Sequence, residues 1–300
     1  MQALRTPDAC FADLPGWPYE PHYVSGLAGV EDLRVHYVDE GPADAPHTFL
    51  CLHGEPTWSY LYRKMIPVFV GAGGRVVAPD WLGFGRSDKP VDDADYGFHL
   101  HRDMMLSFIE RLDLQNITLV VQAWGGLLGL TLPQEMPSRF ARLLIMNTTL
   151  AVGSPPSDGF LAWQNYANAH PDLDIAGLMK RSTPGLTDAE AAAYAAPYPD
   201  VLHKAGVRRF PQMVMTEPAM EGIEVSRAAV RFWREQWSGS SFMAVGRQDP
   251  VLGLVVMQQM ADVIRGCPAP YVIDAAGHFV QEWGDQVARA ALAAFAAAEN

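Results

Sequence analysis

The sequence contains few cysteines, no long apolar runs and little positive charge. Its 300 residues include three cysteines, Cys10, Cys51 and Cys267, which are widely separated and lack the spacing of a metal site. An odd number of dispersed cysteines favours reduced thiols over a disulfide framework. We therefore expect a cytoplasmic protein, and no metal or cofactor is implied.

The other two deficits limit the possible partners. No apolar stretch approaches the roughly 20 residues that cross a membrane, and the N-terminus lacks the apolar segment of a signal peptide. The formal charge is −12 and no basic run occurs, which argues against nucleic acid and anionic membranes as partners. A small neutral molecule is the expected ligand, and we expect the chain to be a monomer.

Short apolar runs instead alternate with helical patterns along most of the chain. The predicted strands are 33–38, 48–52, 75–80, 117–122, 143–147, 241–245 and 271–273, and the clearest predicted helices are 59–70, 98–112 and 288–298. Such alternation is typical of an α/β fold with a mostly parallel sheet. The rhythm stops in the middle of the chain, so we predict a core formed by 1–153 and 216–300, with a helical cap domain inserted at 154–215.

One stretch organises the rest of the sequence. The β-branched run 117–122 ends at Ala123, two glycines follow at 125–126, and leucines then recur at helical spacing. This pattern predicts a buried strand, a sharp turn and a helix, which is the arrangement of the nucleophile elbow in α/β-hydrolases. The apex of the turn, where a nucleophile is expected, is Ala123.

Other polar residues follow predicted strands, where open α/β sheets place their ligands. His53-Gly54-Glu55-Pro56 follows 48–52, Asp249 follows 241–245 and His278 follows 271–273. A single loop histidine is more often structural than catalytic. The chain order of apex, acid and histidine is nevertheless that of the α/β-hydrolases, and it favours a catalytic acid–histidine pair.

Several longer motifs resemble the haloalkane dehalogenases, in particular the branch typified by the 1,2-dichloroethane-degrading enzyme. They are HGEPTWSYLYR at 53–63, DWLGFGRSDKP at 80–90, VVQ-x-WGG at 120–126, DGFLAWQNYA at 158–167 and AGHFVQEWGDQVAR at 276–289. The resemblance covers nearly the whole chain and implies an α/β-hydrolase fold with a helical cap. In that family the apex residue is aspartate, so Ala123 departs from the pattern at the decisive position.

The resemblance also implies a mechanism. An apex carboxylate displaces halide to form an alkyl ester, the indole N–H groups of Trp124 and Trp163 hold the halide, and His278, oriented by Asp249, activates water. The backbone N–H groups of Glu55 and Trp124 would form the oxyanion hole. The matching pocket positions are all apolar and predict a small cavity for short haloalkanes: Leu127, Phe160, Pro211, Val214, Val251 and Leu252.

Three hypotheses follow from this pattern. The favoured one is a haloalkane dehalogenase whose nucleophile has been replaced, most simply by a deliberate Asp→Ala substitution, so that the chain itself is inactive. The second is an epoxide hydrolase with the same scaffold, in which cap tyrosines Tyr166, Tyr194 and Tyr198 could protonate an epoxide. The third is a non-catalytic protein that binds a small ligand.

Overall fold

The computed structural model describes residues 1–298, so the last two residues of the predicted core segment 216–300 lie outside it. The strands are β1 Ala3–Leu4, β2 His22–Val24, β3 Val35–Glu40, β4 Thr48–Leu52, β5 Arg75–Pro79, β6 Lys89–Pro90, β7 Ile117–Gln122, β8 Phe140–Met146, β9 Ser240–Gly246 and β10 Tyr271–Ile273. The predicted strands 48–52, 117–122 and 271–273 are confirmed to the residue, and the others shift by up to three residues at an end.

Eight of these strands form one sheet in the order β10-β9-β8-β7-β4-β5-β3-β2. Neighbours from β10 to β5 are parallel, whereas β3 pairs antiparallel with β5 and with β2. Every residue of β4 and of β7 is buried. Central strands covered on both faces explain why these runs are apolar without alternation, and the predicted mostly parallel α/β sheet is confirmed.

Ten α-helices accompany the sheet in residues 1–298: α1 Ile66–Gly71, α2 Phe98–Arg111, α3 Trp124–Gly129, α4 Asp158–Ala169, α5 Ile175–Ser182, α6 Asp188–Ala195, α7 Ala205–Met213, α8 Ile223–Glu235, α9 Leu254–Val263 and α10 Gly284–Ala298. Helices α4 to α7 follow one another between β8 and α8 without an intervening strand. They occupy the segment 154–215, which we call the helical segment.

The predicted helix 59–70 is wrong as one continuous element. The structure has a 3-10 helix at Ser59–Tyr62 and then α1, with Pro67 in the first turn of α1. Proline lacks an N–H and its ring clashes with the preceding turn, so it is tolerated at the start of a helix but not in its interior. The chain therefore begins a new helix near Pro67.

Strand β8 begins three residues before the predicted start because a charged residue is accommodated in it. Arg142 is buried in β8, where its Nε donates to Thr118 Oγ1 on β7 at 3.0 Å. The sequence pattern places the start after this arginine, whereas the tertiary partner allows the strand to include it. No helix among residues 1–298 is long and apolar enough to cross a membrane.

Candidate active site

The predicted elbow is present, and its apex is strained. Ala123 lies between β7 and α3 with φ 46° and ψ −122°, a conformation that costs a non-glycine residue about 1–3 kcal/mol. Surrounding hydrogen bonds hold it there. Its carbonyl accepts from the N–H groups of Gly126 and Leu127, at 2.9 and 3.0 Å, and from Thr148 Oγ1, at 2.7 Å. The Cβ of residue 123 is therefore held in one position.

The two glycines after the apex allow α3 to pack closely against the sheet. A Cβ on Gly125 would lie 1.9 Å from the carbonyl oxygen of Leu52, and one on Gly126 would lie 2.1 Å from Thr148 Oγ1. Gly54 lies two residues after the end of the neighbouring strand β4, and a Cβ there would lie 2.7 Å from the Ala123 Cβ. The residues after β4 thus lie directly beside the apex.

Asp249 and His278 meet as the chain order predicted. Asp249 follows β9 and His278 follows β10, and Asp249 Oδ2 is 2.7 Å from His278 Nδ1. The Asp249 side chain is fully buried, whereas 22% of the His278 side chain is exposed. With Nδ1 engaged by the acid, Nε2 is the ring nitrogen left to act as a base.

The environment of Asp249 keeps its carboxyl ionised. Burial by itself raises the pKa of Asp249, but the charge and hydrogen bond of His278, the N–H of Val251 and the Asn147 amide together lower it to about 2. The Val251 N–H donates to Oδ1 at 2.8 Å, and Asn147 Nδ2 donates to Oδ2 at 2.8 Å. A carboxylate held in this way can orient an imidazole and stabilise its protonated form.

Sequence reasoning missed two residues that support this pair. Asn147 follows β8. Its Nδ2 donates to the Asp249 carboxylate, and its Oδ1 accepts from the Gly246 N–H at 2.8 Å. Gln122, the last residue of β7, donates from Nε2 to the carbonyl oxygen of His278 at 3.0 Å. The available signal was a polar residue at the end of an otherwise apolar buried strand, which is expensive to bury without a partner.

The indole groups of Trp124 and Trp163 differ from those of four tryptophans that lie elsewhere in the fold. The indoles of the latter donate to protein oxygens: Trp58 to Ala193 O, Trp81 to His53 O, Trp233 to Leu130 O and Trp237 to Ser241 Oγ. Within residues 1–298, neither Trp124 nor Trp163 has such an acceptor. Both rings line the same cavity as Ala123, and a buried indole N–H normally finds a partner.

That cavity has a volume of about 1050 Å³ and is partly open to solvent. Its walls include each residue predicted for the pocket: Leu127, Phe160, Pro211, Val214, Val251 and Leu252. Ala123, Asp249 and His278 also lie on its wall. The volume is at the upper end of ordinary ligand sites, so the expectation of a small cavity is wrong. The sequence identified the apolar residues of the wall. The distances between them, and therefore the cavity volume, depend on how the helical segment packs against the rest of the chain.

Two backbone N–H groups lie beside the apex and are not used elsewhere. Neither the N–H of Glu55 nor that of Trp124 donates to a backbone oxygen in the described part of the chain. Trp124 is the first residue of α3, where N–H groups have no partner within the helix and the helix dipole favours negative charge. Both N–H groups therefore remain available as hydrogen-bond donors, as the predicted oxyanion hole requires.

The tyrosines considered for an epoxide hydrolase are mostly engaged elsewhere. Tyr194 is fully buried and contacts Arg63 and Glu282 through its hydroxyl, and the Tyr198 hydroxyl donates to Pro56 O at 3.2 Å. Only Tyr166 lies on the cavity wall, and its hydroxyl accepts from Arg181 at 2.9 Å. No cluster of three or more His, Cys, Asp or Glu side chains in residues 1–298 could hold a metal ion.

Comparisons with known proteins agree with this geometry. The family model described as the alpha/beta hydrolase fold matches residues 47–285. Haloalkane dehalogenases from Psychrobacter cryohalolentis and Mycolicibacterium paratuberculosis are 45% and 40% identical, covering 96% and 94% of both chains. The solved structure of the tetrameric haloalkane dehalogenase DpaA from Paraglaciecola agarilytica is 51% identical, with a TM-score of 0.97 over 98% of this chain and 99% of that chain.

Proposed function

The chain belongs to the haloalkane dehalogenases, hydrolases that act on carbon–halogen bonds, and from that membership we propose roles for its site residues. A carboxylate at position 123 would attack the carbon that carries the halogen and form an alkyl ester. Trp124 and Trp163 would donate their indole N–H groups to the departing halide. The observation that supports these roles best is that two indoles without an acceptor, the Asp249–His278 pair and the strained apex all line one cavity.

The second half of the reaction, hydrolysis of the ester, would use His278 and the predicted oxyanion hole. His278 Nε2 takes a proton from water, and the water oxygen attacks the ester carbonyl. The backbone N–H groups of Glu55 and Trp124 stabilise the oxyanion. Collapse of the intermediate breaks the bond between the carbonyl carbon and the alkoxy oxygen, and the alkoxide receives the proton from His278. The products are an alcohol and a carboxylic acid at position 123, which regenerates the carboxylate by releasing its proton to solvent.

Ala123 interrupts this sequence at its first step, because a methyl group cannot form the ester. We propose that the chain is a nucleophile-deleted haloalkane dehalogenase, which binds neutral haloalkanes and halide ions in the cavity but does not turn them over. The intact neighbourhood favours a single substitution over gradual loss of the site. The helical segment would act as the cap, since it contributes Trp163 and several apolar walls.

Restoring the carboxylate tests the proposal. We expect Ala123→Asp to release halide steadily from 1,2-dibromoethane and 1-bromobutane, and the parent chain to release none above background. Ala123→Leu is a suitable control because it fills the same position without a nucleophile. Halide release by the parent at the rate of Ala123→Asp would overturn the assignment of position 123, and inactivity of both would overturn the proposed function.

A monomer was expected from the sequence, but the relative that is 51% identical is tetrameric. We therefore propose a homotetramer, which sedimentation equilibrium of the purified chain would distinguish from a monomer. The cytoplasmic location stays a prediction that fractionation of the source cells would test.

A further inference from the structure

Arg181 places a positive charge on the wall of the cavity that contains Ala123. It lies in the last turn of α5 and is exposed to solvent. It forms no ion pair with a carboxylate in residues 1–298, and its Nη2 donates to the Tyr166 hydroxyl at 2.9 Å. The function proposed above uses neither this charge nor the remaining N–H groups. A guanidinium has five donors in a fixed plane, so most of them are left for a ligand that accepts hydrogen bonds.

Tyr166 provides a second donor beside Arg181. Its ring also lies on the cavity wall, with its centre 5.9 Å from the guanidinium carbon of Arg181. Because the hydroxyl oxygen accepts from Arg181, the hydroxyl hydrogen is left to donate, and it has no acceptor among the described residues. A carboxylate only accepts hydrogen bonds, and its two oxygens can take one from the guanidinium and one from the phenol. The pair therefore has the chemistry of a carboxylate site.

This pair lies within reach of the proposed halide site. Trp163 and Tyr166 are three residues apart on α4 and therefore lie on the same face of the helix. Their ring centres are 6.3 Å apart, and Arg181 lies beyond Tyr166. Because carbon–carbon bonds are about 1.5 Å long, a chain of about five to seven carbons can have its halogen at Trp163 and its other end at Arg181.

The charge on the cavity wall differs from that of the whole chain. The formal charge of the chain is −12, but the wall includes two arginines, Arg181 and Arg234, and its carboxyl groups are those of Glu55 and Asp249. Burial raises the pKa of Glu55 well above its ordinary value, so this group is neutral. The charge of Asp249 is engaged by His278. The charges on this wall that have no ionic partner are therefore positive, which favours an anion.

We propose that Arg181 and Tyr166 bind the terminal carboxylate of ω-halogenated carboxylic acids, so that the substrates include anionic haloalkanoates as well as neutral haloalkanes. The inference rests on the proposed function and extends its substrate class. The halogen would lie against Trp124 and Trp163 while the carboxylate accepts from the guanidinium and the phenol. The reaction is unchanged: a carboxylate at position 123 displaces halide, water hydrolyses the ester, and the product is an ω-hydroxycarboxylate.

The first test measures binding by the chain with Ala123 and does not depend on activity. The two ligands, 6-bromohexanoate and 6-bromohexanamide, have the same length, but only the first is charged. Isothermal titration calorimetry should show that the carboxylate binds at least about fivefold more tightly than the amide. Arg181→Gln should remove this preference, and Arg181→Lys, which keeps the charge, should retain part of it. Equal affinities of the two ligands for the parent chain would overturn the proposal.

Arg234→Gln is the matched control, because it removes the other arginine of the cavity wall. It changes the net charge by the same amount as Arg181→Gln and so measures the general electrostatic effect. We expect it to weaken the binding of 6-bromohexanoate by less than about twofold. Equal weakening by the two variants would indicate a general effect of charge and overturn the assignment of Arg181. Greater weakening by Arg234→Gln would overturn it as well.

The second test measures turnover in the Ala123→Asp background. Arg181→Gln should raise the KM for 6-bromohexanoate by about fivefold or more with kcat within about twofold, because the carboxylate is bound equally in the ground state and the transition state. The kcat/KM for 6-bromohexanamide should change by less than about twofold. Equal losses with both substrates would indicate a structural or halide-releasing role and overturn the proposal. If Ala123→Asp releases no halide from any haloalkane, the proposed function fails, but the binding test still decides the role of Arg181.

Discussion

The floor and the wall of the cavity are built differently. The floor consists of the elbow, Asp249 and His278, which follow strands of one sheet. The Asp249 side chain is fully buried, and the Ala123 carbonyl accepts three hydrogen bonds. Each polar group there has a defined direction, as a reaction that requires in-line attack and proton transfer demands.

The wall formed by the helical segment has fewer constraints. Of the twelve residues of α4, only Ala167 is buried, and Trp163 is half-buried. Helix α4 makes a polar contact with α7, in which Gln164 Nε2 donates to Pro211 O at 2.9 Å. From this difference we expect bond making to depend on the residues of the sheet, and ligand retention to depend on the packing of the helical segment.

The largest expected effect is that substitution of His278 blocks hydrolysis of the ester but not its formation. In the Ala123→Asp background, we expect His278→Gln to reduce turnover by at least about a thousandfold. The ester should still form, because attack on carbon needs no base, and mass spectrometry should detect it. His101→Gln is a control histidine away from the cavity wall. Loss of ester formation in His278→Gln would contradict this division of roles.

The next effect concerns the affinity of the cavity for bromide, with and without a carboxylate at position 123. A carboxylate and a halide a few ångströms apart repel by about 4 kcal/mol at an effective dielectric near 20. Because water reaches the partly open cavity, we expect bromide to bind the Ala123 chain about a hundredfold more tightly than Ala123→Asp, a smaller difference than that energy implies. Quenching of tryptophan fluorescence by bromide would measure both affinities.

A matched pair of tryptophan variants tests where the bromide binds. Trp163→Phe removes an indole N–H on the cavity wall and should weaken bromide binding. Trp237→Phe is the control, because its indole donates to Ser241 and lies away from the cavity. Equal effects of the two variants, or weaker bromide binding by the alanine form, would show that the halide site is misplaced.

A smaller effect is expected in the acid stability of the floor. The pKa of Asp249 is about 2 in the folded chain against an ordinary 3.8. Because the folded pKa is lowered, the unfolded state binds more protons between these values. The stability contributed by ionised Asp249 is therefore present above about pH 4 and is lost as the pH falls to about 2.

This contribution amounts to about 2 kcal/mol, and Asp249→Asn should lack it. Urea denaturation between pH 3 and 7 should show a difference between parent and variant that shrinks as the pH falls. Asp285→Asn provides a control carboxylate in the first turn of α10. A difference that stays constant with pH would contradict the role assigned to the carboxylate of Asp249.

The smallest expected effect is the dependence of kcat/KM on the length of the haloalkane substrate. The cavity is larger than expected, so longer haloalkanes have room, but their outer methylenes would lie in the partly open region and gain little from burial. We expect Ala123→Asp to prefer 1-bromobutane over 1-bromohexane by less than about tenfold in kcat/KM. A series of 1-bromoalkanes measures this ratio, and a marked preference for the longest chains would contradict the prediction.

Much of the fold could be predicted because its signals are local. Strands β4 and β7 are continuous apolar runs, since they are covered on both faces, and the glycines after Ala123 mark the turn. Boundaries were less accurate where a tertiary contact intervenes. Arg142 extends β8 because Thr118 accepts its hydrogen bond, and Pro67 divides a pattern that otherwise reads as one helix.

The sequence by itself determined the family, the order of the elements and the identity of the residues at the apex, the acid and the base. These depend on residue type and on position relative to strand ends, which a linear pattern records. Only the tertiary structure decided the size of the cavity, the support of Asp249 by Asn147 and the support of His278 by Gln122. Each of these depends on distances between segments far apart in sequence, and packing rather than local pattern sets those distances.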